Sequence, residues 1–130
     1  MSLDDAWRAV RDFHISFGHP LADTPALLTP ERVAKRNKWM AEEIRELAES
    51  TTVTEQADAM IDLIYFALGT LVEMGVKPQE LFDIVHRANM SKLGEDGRPL
   101  LGLDGKVVKP EGWVDPEPEL ERAIRAQARR

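Results

Sequence analysis

The sequence contains no cysteine. That absence removes disulfides, thiolate nucleophiles and thiolate metal sites. It agrees with a reducing cytosol. The opening residues, Met1-Ser2-Leu3-Asp4-Asp5, are acidic and do not read as a secretory signal. No apolar run suits a membrane span, because the longest, residues 61–72, is broken by Asp62, Tyr65, Gly69 and Thr70. The expected location is the cytoplasm, with no membrane partner. Positive charge is also scarce. Lys and Arg number 17 against 23 Asp and Glu, for a formal net charge of −6. This argues against a nucleic-acid polymer as partner. It leaves room for a phosphate ligand whose charge a metal offsets. Internal repeats and low-complexity segments are absent. The 130 residues suit one domain, 1–130, with a real core.

What the sequence does have is carboxylates in a pattern. Glu42-Glu43-Ile44-Arg45-Glu46 and Glu55-Gln56-Ala57-Asp58-Ala59-Met60-Ile61-Asp62 lie in two segments that read as helices. The link between them is short and polar, Ser50-Thr51-Thr52-Val53-Thr54. Helices so joined pack antiparallel. With residue 52 as the turn, Glu46 stands level with Asp58, and Glu42 with Asp62. At about 3.6 residues per turn, Glu55, Asp58, Asp62 and Tyr65 share a stripe. On the first helix Met40, Ile44 and Leu47 form the apolar stripe, with Glu43 and Glu46 along its edge and Glu42 further round. Converging carboxylates need a cation. Oxygen donors alone suit a hard ion, Mg2+ or Mn2+. The plain alternative is a solvated acidic face.

Along the chain, a first helix spans residues 3–17, with Ala6, Val10, Phe13 and Phe17 at helical spacing and Trp7 beside them. His14 and His19 belong to no ligand motif and read as surface or capping residues. Residues 21–28 form a loop. Thr29-Pro30-Glu31 starts the second helix, which runs to about Glu49. Thr52-x-x-Glu55 resembles a capping box. The third helix ends at Met74 before Gly75, and is apolar on most of its circumference. Such a helix is central, or covered by a second chain. Asp58 and Asp62 are therefore expected to be buried. A fourth helix follows Lys77-Pro78, to about Leu93, with Leu81, Ile84, Val85 and Ala88 as its core face. Residues 94–115 are rich in Gly and Pro. Asp104-Gly105 there centres a small hairpin of residues 100–103 and 106–109. A last, weakly amphipathic helix starts near residues 116–118. The fold class is all-α: four main helices, an extra C-terminal helix and a long Gly/Pro-rich loop.

These residues carry a resemblance. Arg36-x-x-Trp39-Met40-x-Glu42-Glu43-x-x-Glu46-Leu47 resembles the first metal motif of the MazG-like all-α NTP pyrophosphatases. Asp58-x-x-x-Asp62-Leu63-Ile64-Tyr65 resembles the second. Asn89-Met90-Ser91-Lys92, Asp104-Gly105-Lys106 and Lys109-Pro110-Glu111-Gly112-Trp113 resemble the substrate segment of one subgroup. The match spans roughly residues 30–113. Many members carry Glu-x-x-Asp in the second motif. Here Ala59 stands three before Asp62, so either Asp58 replaces the missing acid, or Glu55-x-x-Asp58 is the match and Asp62 is additional.

The resemblance implies a Mg2+- or Mn2+-dependent hydrolase cleaving a (d)NTP into (d)NMP and pyrophosphate, in nucleotide-pool house-cleaning. The implied ligands are Glu43, Glu46, Asp58 and Asp62. Glu42 is a second-metal ligand or the base, and Glu43 shares the catalytic role. Arg87, Asn89, Lys92, Lys106 and Lys109 are candidates for phosphate or sugar contacts. Trp39 and Trp113 are candidates for stacking a base. Residues 94–113 are expected to close over the triphosphate. A homo-dimer or tetramer is expected. The alternative class is a metal-stabilised helical interaction module without turnover. The basic Lys-Pro-Glu-Gly-Trp segment favours the enzyme, since such a module has no use for phosphate-reading lysines.

Overall fold

The computed structural model describes residues 1–129. It is all-α, with helices α1 (Leu3–Phe17), α2 (Pro30–Glu49), α3 (Val53–Met74), α4 (Gln79–Met90) and α5 (Glu117–Ala128). The chain divides into two compact units, Met1–Pro78 and Gln79–Arg130.

In the first unit α3 packs against both α1 and α2. Local chemistry explains where each helix starts. Ser2 caps α1 reciprocally with Asp5, Thr29 Oγ1 accepts from Arg32 N, and Thr52 Oγ1 accepts from Glu55 N. The Glu55 carboxylate accepts from the Thr51 and Thr52 hydroxyls at 3.2 and 3.0 Å. Its capping role is thus observed. Two glycines end helices in the left-handed conformation, Gly18 at φ 70° and Gly75 at φ 68°. At Gly75 the amide donates to Val72 O and the Val76 amide to Leu71 O, which uses two otherwise orphaned carbonyls. The loop before α2 covers the same end, with Ala22 N and Ala26 N donating to Val72 O and Met74 O.

The core of this unit is Trp7, Val10, Leu68 and Val72. The inward stripe of α1 differs from the expected one. It is Trp7, Val10 and His14, whereas Phe17 is 66% exposed. His14 is therefore a buried residue, not a surface or capping one. Gly69 makes the room, since a Cβ there would lie 3.0 Å from His14 Nε2 and 2.9 Å from Arg36 Nη1.

In the second unit α4 packs against α5, and Ile84 and Ala123 are the buried members of those helices. The segment between them makes two tight turns rather than strands. Leu93 bridges Pro99 around Asp96-Gly97, and Leu101 bridges Val107 around Asp104-Gly105. The expected hairpin at Asp104-Gly105 is present in this reduced form.

Gly75 is the position where helix ending and loop closure meet. A Cβ there would stand 2.5 Å from Thr24 O and 2.8 Å from Ala22 O, on a backbone that L side chains rarely adopt. Gly75→Ala should lower unfolding stability by about 2–4 kcal/mol, left-handed strain adding to overpacking. A denaturant melt with an unchanged midpoint would refute this account of the turn.

Candidate active site

α2 and α3 run side by side in one antiparallel register. Arg32 pairs with Glu73, Trp39 stacks on Phe66 with centroids 6.0 Å apart, and Glu43 and Glu46 act on Asp62 and Asp58. The register is the expected one. Its two ends carry opposite electrostatics.

At the end far from the Ser50–Thr52 link, the Glu73 carboxylate is buried. Arg32 Nε and Nη2 donate to it at 2.8 and 2.9 Å, and Arg36 Nε donates to its second oxygen. Burial alone raises the Glu73 pKa, but the Arg32 and Arg36 hydrogen bonds outweigh it and the net direction is downward. Arg36 is itself buried, and its Nη2 lies 3.3 Å from His14 Nε2. His14 Nδ1 lies 2.7 Å from Pro20 O. A carbonyl only accepts, so Nδ1 carries the proton and Nε2 accepts from Arg36. Burial lowers the His14 pKa, against the Pro20 hydrogen bond and with the Arg36 charge, which favours this neutral tautomer. Both guanidiniums lie over the Trp39 ring, Arg32 at 5.6 Å and Arg36 at 5.1 Å.

At the end near the link, like charges gather. Glu43 is only 8% exposed, and its Oε2 has no hydrogen-bond partner. Burial pushes its pKa up to about 7, and the adjoining Glu46 carboxyl, then Asp62 and Asp58, push the same way. The Asp62 pKa is also raised, first by burial and then by Asp58 and Glu46. A cleft of about 320 Å³ opens beside them, lined by Glu46, Glu49, Ser50, Glu55 and Asp58.

The structure thus brings Glu43, Glu46, Asp58 and Asp62 into one neighbourhood. Two expectations need correction. Within this cluster the buried carboxylate is Glu43, whereas Asp58 is exposed and Asp62 half-buried. Ile44, assigned to the packed stripe, is 56% exposed. The reason is shared: α2 turns its Arg36–Glu43 line inward, because Arg36 must reach Glu73. Glu42 is half-buried at the neighbouring position. Glu49 was not foreseen, although it lies one turn after Glu46. Arg32, Glu73 and Gly69 were also missed. The available signal was a carboxylate and a glycine within the apolar run of α3.

Among the described residues, no three carboxylate or imidazole groups stand in ligating geometry. Glu46 and Asp58 are exposed. The donor set fits a hard divalent cation: oxygens only, mutually repelling, with one buried oxygen orphaned.

The other candidates lie in the second unit. Lys92 Nζ donates to Asn89 Oδ1 at 2.9 Å, and Arg87 Nη2 to Glu119 Oε1 at 2.8 Å. Lys106 N donates to Asp104 Oδ1 at 3.0 Å, and the residue is exposed on its turn. Trp113 Nε1 donates to Ala88 O at 2.8 Å, and the Lys92 and Lys109 ammonium groups lie over its ring.

Comparison with known proteins now bears on the site. The family model of phosphoribosyl-ATP pyrophosphohydrolase matches residues 10–89, which hold α2, α3 and all the clustered carboxylates. The chain belongs to this family. It is therefore a member of the MazG-like all-α superfamily and a hydrolase of pyrophosphohydrolase type. It is similar in structure to a candidate NTP pyrophosphohydrolase from Exiguobacterium sp. 255-15, at 35% identity and a TM-score of 0.55, over 95% of each chain. No significant match is found among curated proteins. Among the described residues, no single helix is long and apolar enough to cross a membrane.

The raised Glu43 pKa has a consequence for the metal-free protein. Folding favours the protonated form, so this stabilisation is full below the unfolded value near 4.5 and is lost as pH rises through about 7. In chelator-treated protein, Glu43→Gln should raise Tm by a few degrees at pH 8 and leave it unchanged at pH 4. Equal Tm differences at both pH values would show that charge at Glu43 is not the cause.

Proposed function

We propose that this pyrophosphohydrolase is a divalent-cation-dependent nucleoside triphosphate pyrophosphohydrolase, converting (d)NTP to (d)NMP and pyrophosphate. The observation that carries the reading is the carboxylate cluster across α2 and α3, with Glu43 buried and its Oε2 orphaned. The Exiguobacterium protein's description as a candidate NTP pyrophosphohydrolase supports the choice of substrate class.

Glu43, Glu46, Asp58 and Asp62 would hold Mg2+ or Mn2+. A cation bound there offsets charge on the phosphate oxygens and helps orient them. The chain's own residues do the rest. Glu42 would accept the proton of a water attacking the α-phosphorus, and the Pα–O–Pβ bond would break to release pyrophosphate. Glu43 is the alternative candidate for this duty where it is not engaged by the cation. We place the base of the nucleotide in a cleft of about 150 Å³ lined by Phe13, His14, His19, Arg36, Trp39, Tyr65 and Phe66. Trp39 lies one turn before Glu43 and Tyr65 one turn after Asp62, so the cleft adjoins the acids. Its lining is mostly aromatic.

A panel of (d)NTPs with Mg2+ should yield pyrophosphate, and chelation should stop it. Asp62→Asn should lower kcat/KM by about a hundredfold or more, on the scale of 1.36 kcal/mol per decade. The same variant should lose the Mg2+-dependent rise in Tm shown by the parent chain. Orthophosphate as the product, or undiminished turnover under chelation, would overturn the reading.

The assembly follows from α3. Ile61 and Ile64 are 62% and 50% exposed on its outer surface. We propose that a second copy of the chain covers this stripe in a homo-dimer or tetramer. Light scattering should give at least twice the 14.7 kDa chain mass. Ile61→Lys should shift the species toward monomer, and a monomeric parent chain at micromolar concentration would refute the assembly.

A further inference from the structure

The aromatic cleft of the first unit has one permanently charged residue in its lining, Arg36. That residue is only 3% exposed, and it shares the Glu73 carboxylate with Arg32. Arg32 engages both Glu73 oxygens, whereas Arg36 reaches one of them through Nε alone. Two guanidiniums thus face one carboxylate, and among the described residues no second acid pairs with either. One positive charge is left over, and a buried charge without a full partner is costly. Arg36 Nη2 is directed at His14 Nε2, and Nη1 has no hydrogen-bond partner among the described residues. What the cleft lacks is as informative. Its lining holds no Asp, Glu, Asn or Gln side chain. The acceptor beside Arg36, His14 Nε2, is taken by Arg36 itself, because the Pro20 carbonyl fixes the imidazole proton on Nδ1. His19 and Tyr65 can accept or donate, so they do not discriminate. An amino group entering beside Arg36 would meet a donor, whereas a carbonyl oxygen would meet a guanidinium short of an acceptor. Proteins that read base edges follow the same rule. Arg pairs with carbonyl oxygens, and amide or carboxylate side chains pair with amino groups.

We infer that Arg36 is a specificity-determining residue, selecting nucleotides whose base turns a carbonyl oxygen toward it over those with an amino group at that position. Uracil is thus favoured over cytosine, and hypoxanthine over adenine. The members of each pair are nearly equal in size. They differ by one oxygen exchanged for NH2 and by the proton on the adjoining ring nitrogen. The inference rests on the placement of the base in this cleft under the proposed function. The guanidinium is held at its angle by His14 and by the Trp39 ring, whose centroid lies 5.1 Å away.

The parent chain tests this without any substitution. With Mg2+, kcat/KM should be higher for dUTP than for dCTP, or for ITP than for ATP, in whichever ring size the cleft admits. The ratio should be at least about tenfold, the size expected of one hydrogen bond to a charged group. Calorimetric titration with dUMP, dCMP, IMP and AMP reads the same preference as dissociation constants, with no turnover. Arg36→Met keeps a buried stem and removes the guanidinium, while Glu73 retains both bonds from Arg32. In that variant the ratio should fall to within about threefold. Thermal melting checks that the variant is folded, and the parent panel decides where it is not. Preference for the amino member of a pair would overturn the inference, since Arg36 would then read a ring nitrogen or nothing. Equal values within each pair, neither binding nor hydrolysis of any member, or a carbonyl preference that survives Arg36→Met would overturn it too. Hydrolysis without that preference removes the selection and leaves the pyrophosphohydrolase standing. Carbonyl-selective binding by a chain that hydrolyses no NTP sinks the proposed reaction and leaves the role of Arg36 in place.

Discussion

The Glu73 carboxylate, buried between the guanidiniums of Arg32 and Arg36, sets the relation of α2 to α3. A carboxylate in that position is costly unless each oxygen is paired, and removing one partner of such a group costs about 3–5 kcal/mol. Here both oxygens are engaged, and Arg36 spends a further donor on His14. The neutral His14 ring is held in turn by Pro20, and Gly69 leaves the space that the ring and the guanidinium share. This chain of contacts ties all three helices of the first unit together at one level. It also turns the Trp39 ring toward Phe66.

Attraction at that level makes repulsion tolerable further along the same pair. Glu43 follows Arg36 by two turns on α2, so a helix that turns Arg36 inward also turns Glu43 inward. Glu43 then meets Asp62, Asp58 and Glu46, and the electrostatic cost appears as a raised proton affinity. Functional sites are where such costs gather, since a group perturbed by burial and like charge is ready to bind a cation or a proton. The packing of α2 on α3 and the chemistry of the site are thus one arrangement seen at two levels. A single register serves both.

The second unit uses a different device. Its cations are exposed or half-buried, and no carboxylate neutralises Lys92 or Lys109 among the described residues. Their ammonium groups instead lie 5.3 and 4.8 Å from the Trp113 ring centroid, a contact that does not cancel their charge as a salt bridge would. The acidic and basic clusters also differ in support. The first is built on two long helices, the second on the end of α4 and the loop that follows it.

Much of this was legible in the sequence. Caps at Ser2, Thr29 and Thr52, and glycines after Phe17 and Met74, marked the bounds of the first three helices. Local hydrogen bonding decides such bounds, so they can be read from neighbouring residues. The short link after Glu49 set the antiparallel register, because two helices joined by so few residues have little choice. That register set Glu46 level with Asp58 and Glu42 with Asp62, and the resemblance to a known family picked out Glu43 with Glu46, Asp58 and Asp62. What only the tertiary structure decided was the rotation of each helix about its axis. Periodicity placed Ile44 inward and His14 outward, and both are reversed. A helix of mixed polarity has no unique apolar face. Its rotation is settled by the most demanding partner, here Glu73 on α3, which draws Arg36, and with it Glu43, into the interior. Residues 41 and 37 positions apart make that choice, and no local pattern records it.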